Sequence, residues 1–201
     1  MTLNYLALGD SYTIGELVPL FENFPYRLVQ ILRSNQIDMQ APEILAKTGW
    51  TTDELLSAME EYRFQKKYEL VTLLIGVNNQ YRGRSAEEFR EQFSILFHRA
   101  LDYAGGRKER VVVLSIPDWG LTPFAAERDR AAIAHEIDMF NEICKQEAEE
   151  NGVSFADITF GQRQRSSDLS YLVTDQLHPS GKEYAEWAKL ISEKLIPVFH
   201  A

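Results

Sequence analysis

Short uninterrupted apolar runs alternate along this chain with longer stretches in which apolar residues recur every three or four positions. The runs are Tyr5-Leu-Ala-Leu8, Glu43 to Ala46, Leu70 to Ile75, Val111 to Ile116 and Val153 to Ile158. Each is too short for a helix and bounded by turn residues, so each predicts a strand. Leu70 to Ile75 is almost continuously apolar, as a central strand covered on both faces would be.

The longer stretches predict helices. Asn23 to Asn35 carries Tyr26, Leu28, Val29, Ile31 and Leu32 at helical spacing, with Pro25 in its first turn. Thr51 or Thr52 can cap a helix containing Leu55, Leu56 and Met59, and Ser85 heads a capping-box pattern before Phe89, Phe93, Leu96, Phe97, Ala100 and Leu101. Gly105-Gly106 stops that helix. A further helix ends at Asn151-Gly152, and a last one follows Pro179 through Trp187, Leu190, Ile191 and Leu195. The polar segment before Thr174 reads as irregular. Strand-helix alternation of this kind implies an α/β fold, a parallel three-layer α/β/α sandwich with right-handed crossovers, in one domain over residues 1–201.

With 201 residues, 45% of them hydrophobic and 25% charged, the chain can bury a sizeable core. Its net charge of -9, without a basic patch or Arg-rich run, argues against a nucleic-acid or anionic-membrane partner. Cys144 is the only cysteine and falls in phase with Ile133, Ile137, Phe140 and Ala148, which predicts a packing role rather than redox or metal chemistry. No His/Cys/Asp cluster has metal-ligand spacing, and nothing calls for a cofactor. The sequence enters its first strand without a basic and apolar leader, and no stretch reaches transmembrane length, so a cytoplasmic protein without integral membrane association is expected.

Chemistry concentrates at the ends of the strands. Gly9 lets the first run turn tightly into Asp10 and Ser11, at the carboxyl edge where open α/β sheets bind ligands. Ser11 is a candidate nucleophile, which requires a base, an orienting carboxylate and oxyanion donors. His178 can supply the base, and Asp175 can hold its Nδ1–H and fix the tautomer. Pro179 biases His178 away from helical angles and keeps it in the loop. Asp10 reads as an anchor of the nucleophile turn. His98, His135 and His200 lie off the apolar stripes or at the chain end and are expected to be exposed.

These residues fall into four blocks. Gly9-Asp10-Ser11, Gly49, Gly76-Val77-Asn78 and Asp175-Gln176-Leu177-His178 occur in the order of the SGNH hydrolase superfamily, the GDSL esterase/lipase family, which the chain resembles over nearly its whole length. The resemblance implies a flavodoxin-like sandwich whose five-stranded parallel sheet has the order 2-1-3-4-5. It also implies Ser11 as nucleophile, His178 as base, Asp175 as orienter, and oxyanion donors from the Ser11 and Gly49 amides and the Asn78 side chain. Tyr12 departs from the fourth letter of the Gly-Asp-Ser-Leu signature, and Asn79 stands where the family usually has Asp.

The implied activity is hydrolysis of small-molecule or lipid-like carboxylic esters through an acyl-enzyme. One such constellation serves thioesters, sugar acetates and lysophospholipids alike. A non-catalytic small-molecule binder, or a phosphate-binding flavodoxin-like module using the Gly9 to Ser11 turn, is the competing reading. Neither employs Asp175 and His178, and the turn lacks a Gly-rich phosphate cradle. Trp119 and Phe124, in the loop from Pro117 to Phe124 after the fourth strand, either wall the substrate cleft or cover the end of the sheet.

Overall fold

The computed structural model describes residues 2–201. Five parallel strands, β1 (Tyr5–Gly9), β2 (Glu43–Ala46), β3 (Leu70–Leu74), β4 (Val111–Leu114) and β5 (Ser154–Ala156), form one sheet in the order β2-β1-β3-β4-β5. Every residue of β1, β3 and β4 is buried, as the unbroken apolar runs require. The first crossover runs opposite to the next three. Right-handed connections therefore put α2 (Phe24–Ser34) on one face, and α3 (Thr52–Glu61), α5 (Ala86–Tyr103) and α6 (Arg130–Glu150) on the other. The last helix, α8 (Gly181–His200), packs on α2, while α5 packs between α3 and α6, where Phe89 and Phe140 stack at 4.4 Å.

Helix starts follow the sequence signals. Asn23 accepts the Tyr26 N–H at 2.9 Å, Ser85 accepts that of Glu88 at 3.1 Å, and of the two candidate threonines it is Thr51 that caps α3, its own N–H held by Glu54 at 2.9 Å. Cys144 is fully buried among the α6 core residues, and burial pushes its thiol well up. His98, His135 and His200 are exposed.

Three expectations change. The third and fourth runs end as strands at Leu74 and Leu114, one and two residues short of the expected ends. The fifth strand is cut to Ser154–Ala156, and Ile158, expected at its end, instead opens α7 (Ile158–Arg165) in the segment that reads as irregular. That helix has little apolar periodicity. It is fixed by its Asp157 cap and by two long-range ion pairs, Arg163 with Asp118 and Arg165 with Glu183. Finally, the turn at Ser11 is itself helical: α1 (Ser11–Ile14) begins directly on the nucleophile candidate.

Candidate active site

The position of Ser11 follows from its two neighbours. A Cβ on Gly9 would collide with the Thr13 side chain and the Leu74 carbonyl, so only glycine lets α1 fold back against the ends of β1 and β3. Asp10, buried, caps α1 by accepting the Tyr12 N–H at 3.0 Å. Burial raises its carboxyl to about 7, although hydrogen bonding from the Tyr12 amide opposes the rise. Ser11 is left at the carboxyl edge beside the switch point between β1 and β3, almost covered, with 4% of its surface exposed.

The loop before α8 brings the other two groups across. Its ends are tied as in a hairpin, Val173 N–H to His178 O at 2.9 Å and Ser180 N–H to Tyr171 O at 2.8 Å. Within it Gln176 takes a left-handed φ of 60°, uncommon for a residue with a side chain, and this curl lets Asp175 Oδ1 accept the N–H groups of both Leu177 (2.9 Å) and His178 (3.0 Å). The second carboxylate oxygen lies 2.6 Å from His178 Nδ1, and His178 Nε2 lies 3.0 Å from Ser11 Oγ. Partial burial works to raise the Asp175 carboxyl, but the imidazole and the two amides outweigh it and hold the group below its usual range.

Two further loops close the cleft. Gly49, with a left-handed φ of 84°, follows β2, and its carbonyl accepts from Arg82 at 2.6 Å. Asn78, in α4 (Val77–Tyr81) after β3, donates through Nδ2 to Trp50 O at 2.9 Å, which fixes its amide beside the Gly49 loop. Among the described residues no backbone hydrogen bond takes up the N–H of Ser11 or Gly49. Ser11, Gly49, Asn78 and His178 border one cleft of about 220 Å³. Trp119 and Phe124 border it too, together with Tyr12, Thr48, Val77, Tyr81 and Leu177.

The aromatic wall has a structure of its own. Trp119 lies edge-on to Tyr81 at 5.3 Å and to Phe124 at 6.0 Å, and its Nε1–H donates to the buried Gln80 at 2.6 Å. Gln80 is held in turn by Glu136 at 2.6 Å. Tyr81 and Gln80 are the residues that reading the sequence missed. Gln80 sits one and Tyr81 two positions past Asn79; helical continuation of the third block brings Tyr81 to the cleft and Gln80 behind Trp119. Two other depressions, of about 240 and 320 Å³, lie around α7, and neither brings a histidine to a hydroxyl.

A doubly wound parallel sheet with a serine, a histidine and an aspartate hydrogen-bonded in line at its switch point has the form of an α/β serine hydrolase. The sequence profile of the GDSL-like lipase/acylhydrolase family matches residues 7–185. The chain belongs to that family and is a carboxylic ester hydrolase of the serine type. Similar solved structures include TesA (16% identity, 97% of this chain and 99% of that one, TM-score 0.76) and a lipase/acylhydrolase from Enterococcus faecalis (18%, 98% and 97%, 0.76). Axe2, an acetylxylan esterase from Geobacillus stearothermophilus, is similar to the same degree (18%, 96% and 94%, 0.76). At these identities the likeness is one of fold, with the strand order 2-1-3-4-5 in common. No curated protein sequence matches the chain significantly. Among the described residues no helix is long and apolar enough to cross a membrane.

Proposed function

We propose that Ser11 is the nucleophile, His178 the general base and Asp175 the residue that orients it. The observation that carries this reading is the unbroken line from Asp175 Oδ2 through His178 to Ser11 Oγ, at 2.6 and 3.0 Å, opening into the cleft. With Asp175 holding Nδ1–H, Nε2 carries the lone pair that removes the Ser11 proton as Oγ attacks the ester carbonyl. The Ser11 and Gly49 amides and the Asn78 Nδ2 are the donors for the oxyanion. The imidazolium then protonates the departing alkoxide, and water, deprotonated by His178, releases the acid from the acyl-enzyme. Protein groups and water balance every step.

A cleft of about 220 Å³ is smaller than the roughly 300 Å³ at which pockets begin to enclose a drug-sized ligand, and its Val77, Tyr81, Trp119, Phe124 and Leu177 surfaces are free of charge. These features favour esters of short acyl chains, with the alcohol portion projecting outward. The name of Axe2, an acetylxylan esterase, makes acetyl esters the natural first assay. Fluorophosphonate labelling tests the mechanism: the expected result is one label per chain, on Ser11, with turnover of p-nitrophenyl acetate lost in a folded Ser11→Ala variant. Retained turnover in that variant would exclude the mechanism.

A further inference from the structure

Resting on His178 as the base, we propose that Tyr12 is a positioning residue: its ring forms an aromatic seat that holds the imidazole toward Ser11 and favours the imidazolium formed during attack. Both nitrogens of His178 are committed, one to Asp175 and the other to Ser11. Two hydrogen bonds along one line leave the tilt of the ring about that line to whatever packs against its faces. Tyr12 does so, with ring centroids 5.4 Å apart and planes inclined by 52°.

The seat is rigid because of what backs it. Tyr12 is buried, and its N–H is pinned by Asp10 at 3.0 Å in the same turn that carries Ser11, so nucleophile and seat move together. Behind it stands Trp187, at 6.3 Å, with Phe24 and Tyr184 against the same indole at 6.3 and 5.0 Å. The indole N–H donates at 2.7 Å to the buried Glu183, which Arg165 grips through two hydrogen bonds of 2.8 and 2.6 Å. The family signature has leucine at the position of Tyr12. Leucine would fill space but offers no π-system, whereas an aromatic ring within about 6 Å of a cation attracts it through its quadrupole. The ionisable groups around the pair are Asp175 on the imidazole, Asp10 and Asp118 near the Tyr12 ring, and Glu16 and the paired Glu183 and Arg165 behind it.

The test reads the imidazole directly. Proton NMR titration of the intact protein resolves the four histidines, with His178 assigned by the signal missing from His178→Ala. Three replacements are compared: Tyr12→Phe, Tyr12→Leu, and Tyr12 replaced by pentafluorophenylalanine, which keeps the ring shape and reverses its quadrupole. Tyr12→Phe should match the parent in titration midpoint and kcat. The leucine and fluorinated variants should lower the His178 midpoint by about 0.5 to 1 pH unit and kcat by about 3- to 30-fold, with a smaller change in KM. Equal midpoints and kcat throughout would overturn the proposal, as would a Tyr12→Phe variant as impaired as Tyr12→Leu, since the hydroxyl would then be the active part. Should Tyr12→Leu fail to fold, the fluorinated variant decides. Full activity in His178→Ala would instead defeat the triad assignment, and the titration comparison reads separately from it.

Discussion

Asn79 holds Thr52 by two hydrogen bonds, its Oδ1 accepting the Thr52 N–H at 3.1 Å and its Nδ2 donating to Thr52 Oγ1 at 2.6 Å. Thr52 in turn donates its hydroxyl hydrogen to Gln92 Oε1, so both polar atoms of the neutral amide have a partner at a position where the family usually has a carboxylate. Next to it, Asn78 reaches the same segment through Trp50 O. Adjacent asparagines thus set the distance between two of the proposed oxyanion donors, Gly49 and Asn78, and only one of the two faces the cleft.

That division of labour separates two variants. Asn78→Ala removes a donor at the cleft and should lower kcat by roughly 10²- to 10³-fold with little change in KM or melting temperature. Asn79→Ala strands the buried Thr52 N–H and should cost about 1 to 3 kcal/mol of stability in urea titrations, with the milder loss of kcat. The reverse ranking in kcat would shift the oxyanion role to Asn79.

Asp10 ties the stability of the nucleophile turn to pH. Its carboxyl is raised from 3.8 to about 7 by burial, so the folded chain binds this proton more tightly than the unfolded chain. The resulting stabilisation is complete below pH 3.8 and is lost as pH rises through about 7. Asp10→Asn keeps an acceptor for the Tyr12 N–H and removes the charge. It should therefore be more stable than the parent at pH 8, by at most about 4 kcal/mol, and lose that advantage toward pH 4. Denaturant midpoints at the two pH values measure this. An advantage that does not change with pH would refute the burial argument.

Asp175 makes the opposite prediction. Held below its usual range, its carboxylate stabilises the fold above pH 3.8, and that contribution disappears only as pH falls further. Asp175→Asn retains an oxygen for the Leu177 and His178 amides, so the loop should persist. Its NH₂ would confront Nδ1, impose the wrong tautomer and lower kcat by roughly 10⁴-fold. A crystal structure with the loop unchanged, paired with that loss, would separate tautomer control from folding. Near-normal kcat would remove Asp175 from the mechanism.

How far these features could be read from the sequence depends on what stabilises each of them. β1, β3 and β4 were legible because burial on both faces writes a continuous apolar run, the first and third loop blocks because each ends such a run, and the fourth because its aspartate and histidine stand just ahead of Pro179 and the last helix. α7 was not, since Arg163 and Arg165 find their partners 45 and 18 residues away, and no local period records such pairs. Gln80 was invisible for the same reason: its value lies in joining Trp119 to Glu136, which are distant in sequence. Tyr12 shows in the sequence only as a departure from the family's fourth letter, because the imidazole against its ring comes from a loop far along the chain.

The aromatic loop presents its two rings differently, and this leads to the last prediction. Trp119 is 4% exposed, anchored through Gln80, and borders the cleft, so it packs and lines at once. Phe124 is 47% exposed, makes only rim contacts with Tyr81 and Trp119, and has its N–H on Gln176 O in the loop that carries His178. Trp119→Ala should therefore lower the melting temperature and depress kcat/KM for every acyl length, since an emptied core site of this size costs roughly 3 to 5 kcal/mol. Phe124→Ala should leave the melting temperature nearly unchanged and open one end of the cleft. The ratio of kcat/KM for hexanoyl over acetyl p-nitrophenyl esters should then rise by about 10-fold or more, because each methylene given a surface to contact contributes roughly 1 to 3 kcal/mol. Tyr81, 49% exposed and with its ring 6.5 Å from that of Phe124, offers the control: Tyr81→Ala should widen the same end and shift the ratio in the same direction. If both alanine variants lose activity uniformly across chain lengths, the aromatic rim does not contact the acyl chain, and the short-acyl preference must be set deeper, at Val77 and Leu177.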